Sequence, residues 1–231
     1  MRNKKALLLG LKIFLSIGLI LWITHNISLE QVWLVIADAR MTLLCFAFSL
    51  FFVGYLITAF RWRMLIRAQG GDAPILYLVR SFMVAIFFNN FLPSTIGGDT
   101  VRMYDSWRLG NTTSGAVSVV LVDRFLGVSA LLLIALLALL MDPQISTQFP
   151  SITIWVGITI FSACLLVWIV LNTPPGKIET FALKSSGVIR KLAGFLGKVL
   201  NTLQSYKNSP GAVVRALLLS FLLQLNVVIH F

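Results

Sequence analysis

Apolar residues in this chain gather into six long runs, about 6–25, 41–60, 75–96, 114–141, 152–172 and 212–231, with the polar residues collected between them. Several reach the roughly 20 helical residues that a hydrocarbon layer of about 30 Å requires. The first run, Ala6–Thr24, follows Arg2-Asn3-Lys4-Lys5 in the manner of a secretory leader. It is too long for a leader core, Lys12 interrupts it and no small-residue cleavage site follows, so it reads as a retained span.

If all six runs crossed a bilayer, the loop 173–211, with Lys177, Lys184, Arg190, Lys191, Lys198 and Lys207, would lie outside. So would Arg102 and Arg108, while the Lys/Arg-free loop 142–150 would lie inside. That inverts the rule that short cytoplasmic loops collect Lys and Arg. One change restores it: the run 75–96 enters from the cytoplasm, turns and leaves on the same side. The N-terminus, the Arg61/Arg63/Arg67 cluster and the loops 99–112 and 173–211 then become cytoplasmic, and the outer loops 26–40 and 142–150 keep only Arg40.

The stretch Asn89-Asn90-Phe91-Leu92-Pro93-Ser94-Thr95-Ile96-Gly97-Gly98-Asp99 suits such a turn. Pro93 would break a helix interior and Gly97-Gly98 tolerates unusual backbone angles. Irregular backbone at membrane depth persists only where protein or a wet cavity surrounds it. The pattern therefore predicts a re-entrant helical hairpin at 75–98 beside about five full spans. It also predicts a basic amphipathic helix near 177–206, lying in the cytoplasmic interface or against the bundle. The expected fold is one all-α polytopic membrane domain over 1–231, in the plasma (inner) membrane with its N-terminus cytoplasmic. Because Val228-Ile229-His230-Phe231 closes the sequence inside an apolar run, a chain cut short at its C-terminus is expected.

Composition sharpens this picture. The chain is 58% hydrophobic and only 12% charged, with a mean hydropathy of +0.91, against about 25% charged residues in a soluble domain. Its formal charge of +11 would suggest nucleic acid in a soluble protein. Here the cations cluster at the ends of apolar runs, and no aromatic–basic interleaving of the kind that stacks bases accompanies them. Membrane orientation and anionic lipid account for the charge, and no nucleic-acid partner is expected. Cys45 and Cys164 fall inside apolar runs and read as packing residues. His25 and His230 have no neighbouring ligands in the sequence, so neither a metal nor another cofactor is expected.

The densest polar constellation is Asn89, Asn90, Pro93, Gly97, Gly98, Asp99 and Arg102. Gly-Gly-Asp ahead of Thr100–Arg108 reads as a loop feeding a helix N-terminus, whose bare amide hydrogens attract anions. Arg102 offers a bidentate grip on phosphate and Arg80 a second one; equally, Asp99 is a good helix cap and Arg102 an ordinary anchor. Asp123-Arg124 lies inside an apolar run near its cytoplasmic edge, and ionisable groups at such depth are functional candidates. Neighbours on a helix point about 100° apart, so Asp123 is expected to neutralise Arg80 or Arg102 rather than Arg124. Arg61-Trp62-Arg63 reads as an interfacial anchor closing the second span.

Asn90-Phe91-Leu92-Pro93-Ser94, then Gly97-Gly98-Asp99 and Arg102, then Asp123-Arg124, together resemble the lysylphosphatidylglycerol synthase transmembrane-region family. The likeness covers nearly the whole chain, including Arg61-Trp62. It implies a flippase-like membrane protein that moves or presents lipids. In that reading Ser94, with the constellation above and Asp123 and Arg124, contributes to a site for an anionic phospholipid headgroup. Family members are usually longer, and some carry a soluble aminoacyl-transferase domain that this sequence lacks. The sequence shows no paired carboxylates, metal motif or donor-binding loop. No catalytic residue is therefore expected; a non-catalytic scaffold for a separate lipid-modifying enzyme is the competing reading.

Overall fold

The computed structural model describes residues 14–22, 24, 28–91 and 96–230, and the chain divides into two compact units, Met1–Ser49 and Leu50–Phe231. The elements are α1 (Leu29–Ala37), α2 (Met41–Arg67), α3 (Ile75–Phe91), α4 (Ile96–Arg108), α5 (Thr113–Met141), α6 (Pro143–Gln148), α7 (Pro150–Asn172), α8 (Pro175–Lys184), α9 (Gly187–Ser205), a 3-10 turn (Tyr206–Asn208) and α10 (Pro210–His230). No strand occurs among the described residues. Helices α2, α5, α7 and α10 are long and apolar enough to cross a membrane. The protein is an all-α polytopic membrane protein. The first sequence-predicted span, 6–25, falls largely outside the described residues, although 14–22 are helical.

Local chemistry sets the boundaries. Thr112 caps α5 by accepting the Gly115 amide at 3.0 Å. Asp142 receives the Gln144 amide at 3.0 Å, so one residue closes α5 and opens α6. Proline stands first in α6, α7, α8 and α10, where a missing amide hydrogen costs nothing. Gly110 turns the chain from α4 to α5 at φ 97°, a conformation open chiefly to glycine.

Small and polar residues fill the contacts between helices. Gly54, Thr58, Ala59, Ala85, Ser106, Ser118, Ala130, Ala216 and Ser220 are buried, while most large apolar side chains face outward. Lipid is as apolar as leucine, so helices in a membrane gain from close backbone approach rather than from hiding leucine. A compact core of Trp62, Leu65, Ile66, Leu78, Val119, Leu126 and Tyr206 sits toward the Arg67 end of α2. Cys45 and Cys164, read as packing residues, are both exposed. In a lipid-facing position a small apolar side chain needs no protein partner.

Helices α3 and α4 form an antiparallel pair. Tyr77 and Ser81 of α3 both donate to the Asp105 carboxylate of α4. Further along, the Gly98 amide donates to Asn89 Oδ1 at 2.7 Å. A Cβ on Gly71, before α3, would lie 3.2 Å from the Leu109 carbonyl and from Asn111 Oδ1, after α4, so the chain returns to where it set out. Two bounds of the sequence reading change. The hairpin is not 75–98: its second arm runs on to Arg108, and Leu92–Thr95 lie outside the described residues. The single helix near 177–206 is two helices packed together, parted at Ser185-Ser186 where Gly187 adopts φ 58°.

The end of the bundle where the hairpin opens also gathers the other polar connections. Tyr206 donates to the Leu65 carbonyl at 3.2 Å, and Gln69 donates to Ser205 at 3.2 Å. Gln204 Nε2 reaches the carbonyls of Val170 and Thr173, both at 2.7 Å, and Lys207 reaches that of Leu171 at 2.7 Å. The ends of α2 and α7, the α9–α10 junction and the mouth of the hairpin therefore share one side. Asp72 staples that mouth, accepting from Arg67 and Arg63, which hold its carboxyl well below the usual carboxylate range.

A Cβ at position 98 would stand 2.7 Å from the Ala85 carbonyl. Gly98→Ala should therefore cost about 1–3 kcal/mol by overpacking, read as a lower unfolding midpoint in detergent. Gly127→Ala on α5, where the added carbon meets nothing, should hold or slightly raise the midpoint because alanine favours helix.

Candidate functional site

Four helices deliver a charged cluster into the bundle. Asp123 lies about 15 Å along α5 from Thr113, at 1.5 Å per residue, and its side chain is 2% exposed. Arg102, midway along α4, places Nη1 2.9 Å from Asp123 Oδ2. Arg61 of α2 sets Nε 2.6 Å from Asp123 Oδ1, close enough for an ion pair but too bent for a hydrogen bond. From α10, the Ser220 hydroxyl accepts a hydrogen bond from Arg61 Nη1 at 2.9 Å and donates its own to the Ala216 carbonyl.

Trp62 braces the group. Its indole N–H donates to Ser106 of α4 at 3.1 Å, and its ring lies 4.9 Å from the Arg102 guanidinium carbon. Phe82 of α3 faces the same guanidinium at 5.7 Å. Cation–π attraction of this kind strengthens where water is excluded. Even so, Arg102 Nε and Nη2 are buried without a hydrogen-bond acceptor. Two guanidinium groups and one carboxylate leave a single positive charge in excess inside the bundle.

Beside it, Arg124 projects from α5 to the surface and grips Asp99 with two bonds, Nη2 to Oδ1 at 2.7 Å and Nε to Oδ2 at 3.1 Å. Asp123 and Arg124 therefore serve different partners, as adjacent helix positions require. Between α5 and α7 runs an apolar groove of ≈ 520 Å³, bordered by Phe125, Leu132, Leu136, Cys164 and Trp168.

Placed on this geometry, the sequence candidates separate. Asp123, Arg102, Asp99 and Arg124 come together at α4 and α5, and Arg102 rather than Arg80 answers Asp123. Arg80 and Asn90 lie exposed on α3 outside these contacts, and Pro93 and Ser94 fall outside the described residues. Gly97, Gly98 and Asp99 do not form a loop ahead of a helix at Thr100. They occupy the first turn of α4, so Asp99 is no cap, and Asn89 already occupies the Gly98 amide. That amide is not a bare donor for an anion; its glycine is needed for the close approach to Ala85.

Sequence reasoning missed Arg61, Trp62, Ser106 and Ser220. Arg61 and Trp62 are not an interfacial anchor: both are buried at the centre of the cluster. The signal was present, since Met64-Leu65-Ile66 continues the apolar run past them, and an anchor residue ends such a run.

A family model described as Lysylphosphatidylglycerol synthase TM region matches residues 8–229. No curated protein and no solved structure matches the chain.

Removing the shared carboxylate should be the costliest single change at the cluster. Asp123→Ala leaves two buried guanidinium groups unpaired and should cost about 3–5 kcal/mol, seen as a large fall in unfolding midpoint. The triple variant Arg61→Met, Arg102→Met, Asp123→Leu should regain most of that loss, because apolar replacement of a whole buried ion cluster is often neutral.

Proposed function

From the premise that the chain belongs to the lysylphosphatidylglycerol synthase transmembrane-region family, we propose that it translocates or presents membrane lipid by holding an anionic phospholipid headgroup at the α3–α4 hairpin. The observation that carries this reading is the uncompensated charge at Arg102, whose Nε and Nη2 are buried without an acceptor beside a carboxylate shared by two cations. Intramembrane ionisable groups are expensive to keep and mark substrate paths. A phosphate supplies the acceptor oxygens and the negative charge that the cluster lacks, and arginine's planar fork suits it.

The hairpin is re-entrant in this reading, dipping into the bilayer from the cytoplasm and returning. Its second arm, α4, carries both Arg102, turned into the buried cluster, and Asp99, which pairs with the exposed Arg124 of α5, so a headgroup meets the exposed pair before the buried cluster. The acyl chains stay in the bilayer, along apolar surface such as the groove between α5 and α7. No covalent step is involved, and the chain acts as no enzyme. The protein resides in the plasma membrane with the N-terminus and the hairpin mouth cytoplasmic. A second reading, a membrane subunit for a separate lipid-modifying transferase, draws on α7, none of whose side chains is buried and whose faces are open to a partner.

With Cys45 and Cys164 replaced by serine, single cysteines at Thr113 and Ser186 should resist an impermeant thiol reagent in intact cells, while one at Gln144 reacts. Because the two ends of the hairpin lie side by side, labelling of Thr113→Cys from outside would put its mouth on the outer face and end the entry from the cytoplasm.

The function is tested by reconstituting the full-length chain in liposomes and following fluorescent phosphatidylglycerol between leaflets. Exchange should exceed that of protein-free vesicles. Arg102→Gln should lower it at least about tenfold, the usual scale for one charge-assisted contact of about 1.5–3 kcal/mol. Arg102→Lys should fall between, and Arg108→Gln, exposed at the end of α4, should match the wild type. Equal exchange with and without protein, across several headgroups, refutes the proposal.

A further inference from the structure

The pair α8–α9 carries chemistry that the central cluster does not use. Val188, Ile189, Leu192 and Leu196 of α9, and Phe181 and Leu183 of α8, are each more than half exposed, with no protein covering them. Arg190, Lys191, Gly194 and Lys198 share the other side of α9, since positions three, four and eight apart fall on one face. These residues, with Gly187 and Phe195, border an open groove of ≈ 650 Å³ that contains no acidic side chain. Arg190 and Lys198 join hydrogen bonds only through their backbone, and none of the three cationic side chains makes a hydrogen bond or ion pair among the described residues. Gly194 leaves a notch in the groove: a Cβ there would meet nothing within 4 Å.

Exposed apolar side chains on one face and a run of cations on the other are what a helix lying in a membrane interface presents. The position agrees. Ser118 of α5 donates to the Val199 carbonyl at 3.4 Å, and Tyr206 binds the end of α2, so the pair sits at the end of the bundle where the spanning helices stop. We propose that α8–α9 lies in the bilayer interface and that its Arg190–Lys191–Lys198 groove seats the phosphate of an anionic phospholipid from the surrounding leaflet. This headgroup site is separate from the Arg61–Asp123–Arg102 cluster. The apolar stripe sets the depth of the pair, the cations select the headgroup and the Gly194 notch lets the phosphate approach the helix backbone.

The test places a nitroxide at Leu192→Cys in the full chain, with Cys45 and Cys164 replaced by serine, in phosphatidylcholine vesicles. Phosphatidylglycerol spin-labelled near the top of an acyl chain is then titrated in, against identically labelled phosphatidylcholine. Dipolar broadening should saturate at a much lower mole fraction for phosphatidylglycerol. The triple variant R190Q/K191Q/K198Q should raise the half-saturating fraction on the order of 100-fold, given the attraction of each basic residue to an anionic surface. Gly194→Leu, which keeps every charge and favours helix, should raise it about tenfold by filling the notch. Arg102→Gln should leave it unchanged, so that failure here is distinguishable from failure of the central site. Equal broadening by the two lipids, wild-type saturation in both groove variants, or displacement of the labelled lipid by inorganic phosphate would each overturn the proposal.

Discussion

The second unit of this protein is organised around one carboxylate. Asp123 is shared by guanidinium groups from two other helices, and a fourth helix contributes through Ser220. In a water-excluded setting neither a lone aspartate nor a lone arginine is tolerable, so each helix is held by the electrostatic demand of the others. The remaining packing fits around that demand. Trp62 covers Arg102 and ties itself to Ser106, and the small residues of the interfaces let backbones come close enough for short side chains to meet. Hydrophobic burial, dominant in a soluble protein, serves here mainly to complete a core at the Arg67 end.

The cluster is not balanced in charge. A single arginine would neutralise Asp123; the second leaves donors without acceptors. Proteins seldom keep buried donors unsatisfied without a reason tied to strain, chemistry or a bound group. The surface pair Arg124–Asp99 lies one residue along α5 and on the same arm of the hairpin as Arg102, so both ion pairs depend on how α4 is seated. The Gly98–Ala85 contact and the Asn89 bond to the Gly98 amide hold the two arms together, making the hairpin one body rather than two independent helices.

Much of this architecture could be read from residue order, for physical reasons that also mark where reading stops. Run length identifies spans because the thickness of hydrocarbon is fixed, and the bias of Lys and Arg argues against an ordinary crossing at 75–96. The structure brings Gly71 back beside Leu109 and Asn111. Which side chain meets which, however, depends on rotation about each helix axis. That rotation is fixed by contacts distant in sequence, so Asp123 could be matched to Arg102 only as one of two options and Arg61 was overlooked. The break between α8 and α9 was legible in Ser185-Ser186-Gly187, a run of poor helix formers, yet the amphipathic spacing on either side concealed it. The glycines of the motif illustrate the remaining difficulty. A glycine tolerated for a ligand and one demanded by a neighbouring carbonyl look identical until the neighbour is known.

The footing of α7 has a consequence for how the protein meets membranes of different thickness. This helix buries no side chain, yet Gln204 and Lys207 hold its last carbonyls. Its 23 residues span about 34 Å, a few ångströms more than a typical hydrocarbon layer of about 30 Å. With one end tethered and the shaft only lightly packed, hydrophobic mismatch is relieved by leaning. The inclination of α7 is then a property of the host bilayer as much as of the polypeptide.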